Sequence, residues 1–233
     1  MALQSTVNLP GYVATSNPTT TPVRGTIYIE PSANAQRSIA SSSANDTAAG
    51  TGARKVRIRY FPLALTGPMK EEVVTLNGIT PVNTVATDIC YIERITVEDV
   101  GSLGGNAGTI TLFAGLAGAG GIVGSIAPGD NQTNWCHHYV SAGYTAFVTI
   151  IQGGNKGTSG GAITMRATPI TAPARAELTV APQLRVSPGV SASFGFDIVP
   201  LAVAGPARIT LYAQQDAPQG TNTWFAGFGY YEN

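Results

Sequence analysis

The stretch ARKVRIRYF, from Ala53 to Phe61, decides the fold class. Its apolar side chains recur at every second position, as Val56, Ile58 and Tyr60, and a basic side chain separates them. This period of two is that of a β-strand with one buried face and one solvated face. We therefore predict a strand of an antiparallel sheet whose outer face carries lysine and arginine.

The run KEEVVTL, from Lys70 to Leu76, follows as a second strand. Prolines and a glycine in the linker between the two runs favour a turn, so the pair is predicted to form an antiparallel hairpin. Glu71 or Glu72 then lies across from the basic side chains of the first strand. We expect such exposed ion pairs to add little stability.

Strand-like runs continue to the end of the chain, and turn residues separate them at the spacing of about 8 to 12 residues typical of sandwiches and barrels. Helical periodicity is absent from the sequence. We therefore predict an all-β protein, an antiparallel β-sandwich. The further runs are Asp88 to Val97, Gly108 to Phe113, Ile122 to Ile126, Thr133 to Val140, Tyr144 to Gln152, Gly161 to Thr168, Glu177 to Val180, Ser191 to Val199, Ala207 to Gln214 and Thr223 to Tyr231.

Length and charge limit the classes of partner. The 233 residues fit one β-sandwich body over residues 53–233, or two smaller sandwiches with a boundary near Gly153 to Gly161. The net charge is +0, so no long-range field gathers phosphates, and no nucleic acid partner is expected. Only 11% of the residues are charged, so either Ser, Thr and Asn solvate the exterior or neighbouring subunits bury it, which we favour.

No targeting or membrane segment is recognisable. No residue before Arg24 is charged, so the basic region of a signal peptide is missing, and its apolar core is missing as well. No apolar run reaches the roughly 20 residues of a membrane-spanning helix. We expect neither export by that route nor a membrane partner.

Residues 1–52 are predicted to form an extended N-terminal arm. Proline recurs along this segment, and Ser, Thr, Asn and Ala dominate the rest, so no helix can run through it. Within the arm, RGTIYI carries β-branched and aromatic side chains that suit addition as a strand to a sheet. Ile27, Tyr28 and Ile29 are therefore candidate interface residues. A low-complexity tract, SIASSSANDTAAGT, connects the arm to the body.

The segment from Val100 to Gly129 is rich in glycine. Beyond Val100 it contains no charged residue before Asp130. Such a segment is either a flexible loop or a place where two backbones approach closely. Phosphate binding is not expected, because no GxxxxGK[ST] motif occurs and no helix N-terminus is available.

The candidates for chemistry centre on Cys136 and His138, which alternation places on one face of a strand. Cys90 is the only further cysteine, and a zinc site would still need a fourth ligand. No disulfide is expected between Cys90 and Cys136. No GxSxG motif or suitably placed carboxylate pair is present, so we predict no catalytic residue, no metal, no cofactor and no enzymatic activity.

Aromatic side chains concentrate in the C-terminal strand, where they suit core packing and a subunit interface. Parity places Trp224, Phe228 and Tyr230 on one face, with Phe225 and Tyr231 on the other. We predict that this strand is buried on both faces. All five residues are interface candidates, and stacking on a sugar is the alternative.

Three stretches carry a resemblance: VVTLNGITPVNTVATDICYIERI at Val73 to Ile95, GDNQTNWCHHYVSAGYTAFV at Gly129 to Val148, and GPARITLYAQ at Gly205 to Gln214. They resemble a group of small virion structural proteins of tailed bacteriophages, over roughly residues 37–233. The resemblance implies a virion component assembled in the cytoplasm of a bacterial host, and it implies no catalytic residues. A jelly roll is the favoured sandwich, because this double-sheet fold recurs in viral shells.

The expected function is that of a capsid decoration or cement protein that binds the head exterior and stabilises contacts between capsomers. Its expected partners are other virion proteins, foremost the major capsid protein, and further copies of itself, with a trimer favoured. Two alternatives stay open: a neck, tail or baseplate component, and a carbohydrate-binding module on a receptor-binding appendage.

Overall fold

A computed structural model describes residues 11–15, 21–22, 27–158, 160–170, 178–179, 184–187, 189, 191–195, 200–216 and 222–233. These residues form antiparallel strands and one short 3₁₀ turn, Leu116–Gly118, which confirms the predicted all-β class. Nowhere in these ranges is there a helix with the length and apolar character needed to cross a bilayer.

The strands are numbered along the chain. They are β1 (Gly11–Thr15), β2 (Thr21–Pro22), β3 (Ser38–Ser41), β4 (Ala53–Phe61), β5 (Lys70–Thr75), β6 (Val82–Asn83), β7 (Tyr91–Val100), β8 (Ile110–Phe113), β9 (Ile122–Ile126), β10 (His137–Val140), β11 (Thr145–Lys156), β12 (Gly161–Pro169), β13 (Leu178–Thr179), β14 (Leu184–Val186), β15 (Ser191–Gly195), β16 (Leu201–Ala204), β17 (Ala207–Gln215) and β18 (Asn222–Glu232).

The chain divides into two compact units. Unit 1 comprises Met1–Gly25 and Trp135–Asn233, and unit 2 comprises Thr26–Asn134. In sequence, unit 2 is therefore an insertion into unit 1. The division falls at Trp135 and not near Gly153 to Gly161, where the alternative of two successive sandwiches would place it.

Unit 1 is built from two sheets. The first has the order β1-β18-β11-β15, with β16 also on β11, and the second has the order β10-β17-β12-β13, with β14 on β12 and β2 on β17. Strands β2 and β10 share one edge of β17, β13 and β14 share one edge of β12, and β15 and β16 share one edge of β11. The result is two sheets of four strand positions each.

The path of the chain through these positions is that of a jelly roll. The chain enters the first sheet at β1, crosses to the second at β2 and β10, returns at β11, and crosses again at β12. Strands β13 and β14 stay in the second sheet, β15 and β16 return to the first, and β17 and β18 fill the centre of one sheet each. Eight strand positions in this alternating order form the double Greek key that was predicted.

The core of unit 1 lies between its two sheets. Inward-facing side chains of β11, β16 and β18 meet those of β10, β12, β14 and β17, and the cluster is almost wholly apolar. Glycine permits the close packing: a Cβ at Gly153 would come within 2.2 Å of Cδ1 of Ile163. Gly153 lies in β11 and Gly161 begins β12, so this segment is part of the sandwich.

Unit 2 contains a four-stranded sheet, β6-β3-β8-β9, and a three-stranded sheet, β5-β4-β7. Strands β4 and β5 pair as the predicted antiparallel hairpin. Val56, Ile58 and Tyr60 are buried, whereas the basic side chains between them are not, which confirms the predicted alternation. The hairpin prediction held because a strict period of two specifies both the strand and its buried face.

The predicted arm of residues 1–52 is wrong from residue 27 onward. Strand β3 lies inside the low-complexity tract, pairs with β6 and β8, and is buried along its whole length. Arg37, just before β3, is also buried and donates to the carbonyl oxygens of Ile89 and Ala114. Residues 27–52 therefore belong to the packed structure of unit 2, because small side chains let this segment fit between other strands.

The glycine-rich segment lies close to other backbone segments. This is the second of its two predicted structures, the first being a flexible loop. A Cβ at Gly101 would come within 2.3 Å of the carbonyl oxygen of Gly50, and one at Gly108 would come within 2.7 Å of the Ser43 nitrogen. No other residue type fits at these positions without displacing backbone.

Candidate subunit interface

Strand β18 contributes three of its aromatic side chains to the core of unit 1. Trp224 and Phe228 are fully buried and Tyr230 is 8% exposed, all within the core between the two sheets. The parity prediction for these residues is therefore correct. As interface candidates, however, Trp224, Phe228 and Tyr230 are wrong, because the core of their own unit already occupies these side chains.

The opposite face of β18 carries the remaining aromatic candidates. Phe225 is 37% exposed, and its ring covers Gly154, where an added Cβ would meet the ring at 2.2 Å. Tyr231 stacks on Phe147 of β11, with ring centroids 5.0 Å apart. We call Phe147, Phe225 and Tyr231 the outer strip. Because Phe225 is partly exposed, the predicted burial of this strand on both faces is wrong at that position.

A polar cluster joins the two sheets of unit 1 beside the core. His138 Nε2 lies 2.7 Å from Oε1 of Glu232, and the Tyr230 hydroxyl lies 3.0 Å from His138 Nδ1. The rings of His138 and Tyr230 also stack, with centroids 4.1 Å apart. Because β10 and β18 belong to different sheets, these contacts fasten one sheet to the other.

The other candidates for chemistry are each packed within their own unit. His137 packs between Trp135 and Tyr139, with ring centroids 5.5 and 5.3 Å away. Cys136 belongs to the core of unit 1, whereas Cys90 lies in unit 2, where its thiol donates to the carbonyl of Pro31 at 3.5 Å. Within the described part of the chain, no group of three or more His, Cys, Asp or Glu side chains is arranged to hold a metal ion.

The N-terminal candidates lie at the edge of the four-stranded sheet of unit 2. Tyr28 is buried and bridges Gly124 of β9, and the N–H of Ile29 donates to the Val123 carbonyl at 2.7 Å. Ile27 and Ile29 flank Tyr28 and are 50% and 60% exposed. Tyr28 therefore anchors this segment, and we call Ile27 and Ile29 the edge patch.

Exposed apolar side chains concentrate on unit 2. Among the described side chains, ten of the twelve large apolar ones that are exposed belong to this unit. Exposed apolar side chains mark a protein-binding site where they lie next to one another, and within this set Ile27 and Ile29 lie on one short segment. Outside the edge patch they are Leu63, Met69, Val73, Ile79, Val85, Leu103, Leu116 and Ile122.

Several of these residues lie in connecting segments where sequence periodicity carries no information. Ile79 follows the turn at Gly78, and Val85 is the most exposed of the set at 85%. The Glu72 carboxylate accepts from the backbone N–H of Val85 and holds this segment in place. The only signal in the sequence is an isolated isoleucine or valine among turn-forming residues, and strand periodicity does not detect such a residue.

An ion-pair network covers the outer face of β4. Arg57 donates to Glu71 of β5 and, at 2.6 and 2.8 Å, to Glu98 of β7. Hydrogen bonds from Arg57 hold the pKa values of Glu71 and Glu98 below their ordinary value, and both acids raise the pKa of Arg57. The predicted pairing of Glu71 with the basic strand is confirmed. These charged side chains are partly exposed, so we place no apolar subunit contact on this face.

Comparison with known proteins gives no family. No family model matches the chain, and no curated protein matches it. A structure of the infectious bursal disease virus Gt strain is 10% identical, with a TM-score of 0.27, covering 100% of this chain and 73% of that chain. The crystal structure of the VP2 subviral particle of the same virus is 9% identical, with the same TM-score and coverage. At these scores, the assignment as a jelly-roll protein rests on the strand order of the chain itself.

Proposed function

We propose that the chain is a structural protein of a bacteriophage particle, and specifically a decoration protein that binds the exterior of the head and stabilises contacts between capsomers. The observation that carries the proposal is a jelly-roll unit with an inserted unit that carries ten of the twelve exposed large apolar side chains among the residues the structure describes. The sequence resemblance to virion proteins of tailed phages supports the same class. Jelly rolls recur in viral shells, where many copies pack through their surfaces.

The edge patch is the contact that we assign to the head. Burying a half-exposed isoleucine against a partner contributes on the order of 1 kcal/mol, so Ile27 and Ile29 bind weakly in a single copy. A homo-oligomer, for which we propose a trimer, presents the patch several times. Simultaneous binding then raises the overall affinity by orders of magnitude without any new contact.

Substitution of one isoleucine tests this assignment. Ile29→Asp places a charge in the contact and is expected to weaken binding to heads at least tenfold, measured by cosedimentation with heads that lack the protein. Leu103→Asp is the matched control, because Leu103 is 59% exposed against 60% for Ile29 and lies outside the edge patch. If Ile29→Asp and the control variant bind heads with equal affinity, the edge patch is not the contact with the head.

The location of the protein in the particle distinguishes a head decoration protein from a neck, tail or baseplate component. Labelled electron microscopy of the virion is expected to show the protein on the head. Label on the neck, tail or baseplate would support the alternative structural role, and absence from purified particles would reject the whole class. The carbohydrate-binding alternative loses its principal residue, because Trp224 is buried in the core and cannot stack on a sugar.

A further inference from the structure

We infer that the outer face of the first sheet of unit 1 binds an anionic saccharide, with the Phe225 ring as the platform for the sugar and Lys156 as the partner of its negative charge. The outer face is the one turned away from the second sheet. The inference goes beyond the proposed function, because head binding is assigned to the edge patch of unit 2. Trp224, which lies in the core, takes no part in this site.

The ring of Phe225 leans across the sheet onto the neighbouring strand. Gly154 of β11 lies opposite Phe225 in register, and a Cβ at Gly154 would be 2.2 Å from Cζ of the ring and 2.8 and 2.9 Å from its two Cε atoms. The end of the ring thus occupies the position that a side chain at residue 154 would take. Because Phe225 is 37% exposed, the side of the ring away from the sheet is open to solvent. The C–H groups of a sugar ring carry partial positive charge and pack favourably on such a π face.

Hydrogen-bonding side chains surround this ring on the same face. Position 153 points into the core, where an added Cβ would meet Ile163, so Gly154 and its neighbours two residues away on β11 point outward. Residues directly opposite one another on neighbouring strands share a face, which adds positions on β15 and β18. Hydroxyl and amide groups both donate and accept, and they match the hydroxyl groups of a saccharide. The polar residues placed next to the ring in this way are Gln152, Lys156, Ser191, Ser193 and Thr223.

The charge of this face specifies the ligand further. Among the described residues on the strands of the first sheet, the only charged ones are Lys156 and Glu232. Glu232 is turned inward to His138 of the second sheet, so Lys156 is left as the single charge on the outer face. A cation without a neighbouring carboxylate attracts a negatively charged group. A protein partner would instead be expected to meet a continuous apolar patch, and the groups around Phe225 are polar.

Titration calorimetry of the full chain with defined oligosaccharides tests the site. The probes are a glucose hexamer, a galacturonic acid hexamer and a phosphorylated glucose hexamer, and we expect a charged hexamer to bind more tightly than the neutral one. The two charged probes distinguish a carboxylate from a phosphate ligand. Phe225→Leu keeps an apolar side chain but removes the π face, and it is expected to weaken binding at least about tenfold, whereas Phe225→Tyr should retain it.

Tyr144→Ala is the matched control. Tyr144 is an aromatic residue of the same unit with 39% exposure, and it directly precedes β11 at the end of the strand far from Gly154. Its removal should leave saccharide affinity unchanged. Lys156→Gln should abolish both the preference for a charged hexamer and its dependence on salt, with the affinity for the neutral hexamer unchanged. Melting temperatures of all variants verify that the chain is folded.

The site and the proposed function can fail separately. Ile29→Asp should lose binding to heads and keep binding to the saccharide, and Phe225→Leu should do the reverse. No binding of any of the hexamers by the wild-type chain, or equal binding by wild type and Phe225→Leu, overturns the saccharide site and leaves the head contact untouched. Loss of head binding in Phe225→Leu without loss of saccharide binding would show that this face is a protein contact, which also overturns the inference.

Discussion

Asp46 holds the glycine-rich segment of unit 2 in place. Its buried carboxylate accepts hydrogen bonds from the Ser41 hydroxyl at 2.5 Å and from the backbone N–H groups of Ala53, Ala107 and Gly108 at 2.7 to 2.9 Å. We predict that Asp46→Ala lowers the free energy of unfolding by roughly 3–5 kcal/mol, because four donors, three of them buried, lose their acceptor. Urea unfolding followed by far-ultraviolet circular dichroism measures this change.

The control for Asp46→Ala removes an exposed acid in place of a buried one. Asp216 is 54% exposed and pairs with Arg185, which is 67% exposed, so Asp216→Ala is expected to cost less than about 1 kcal/mol. Amide hydrogen exchange adds a local measurement, since Ala107 and Gly108 should lose protection only in Asp46→Ala. Unchanged protection in that variant would contradict the assigned role.

Asp88 and Tyr60 give unit 2 a pH dependence with a defined sign. A hydrogen bond from Lys70 lowers the pKa of Asp88 below its ordinary 3.8, so its stabilising contribution is present above that value and is lost as the pH falls through the lower folded pKa. Burial, together with Asp88, raises the pKa of Tyr60 from 10.0 to about 12, so its contribution is present below pH 10 and is lost as the pH rises toward 12.

Two variants test whether these two ionisations reduce stability at acid and alkaline pH. Melting temperatures measured across the pH range should show a shallower acid decline in Asp88→Asn and a shallower alkaline decline in Tyr60→Phe. The two limbs are coupled, because Asp88 contributes to the raised pKa of Tyr60, so Asp88→Asn is expected to reduce the alkaline decline in part as well. Identical profiles for wild type and both variants would mean that neither ionisation is linked to folding.

At the scale of the element, truncation separates the two parts of the predicted arm. Deletion of residues 1–25 leaves all strands of unit 2 in place, whereas deletion of residues 1–52 removes β3, Arg37 and Asp46. We predict that the first truncation keeps amide protection in β8 and that the second abolishes it, because β8 pairs with β3. Amide hydrogen exchange measures this protection. If β8 stays protected after deletion of residues 1–52, these residues are an arm outside the packed unit, as the sequence predicts.

The elements with a strong local pattern were predictable from sequence. The bounds of β4 and β9 match the predicted runs, because alternation or a short apolar run delimited by glycine specifies a strand without reference to its neighbours. Strand β3 was missed because SIAS, within a tract of small polar residues, becomes a strand only through pairing with β6 and β8. The information that makes this segment a strand lies in β6 and β8, which are distant from it in the sequence.

At the scale of the whole molecule, the sandwich and its jelly-roll form were predictable, but the discontinuous unit was not. The pairings of β1 with β18 and of β2 with β17 join the two ends of the chain. No local pattern encodes a contact over such a separation. The candidate interface could not be predicted from local sequence for the same reason. Parity places Trp224 and Phe228 on one face of β18, but only the opposite sheet determines that this face lies in the core.

A cryo-electron microscopy map of the particle in which we propose this protein to lie tests the proposed function most directly. We expect repeated density on the head exterior at symmetry-related positions, with a jelly-roll unit of strand order β1-β18-β11-β15 and with Ile27 and Ile29 of unit 2 against the capsid. Particles that contain no copy of the chain would contradict the structural role itself.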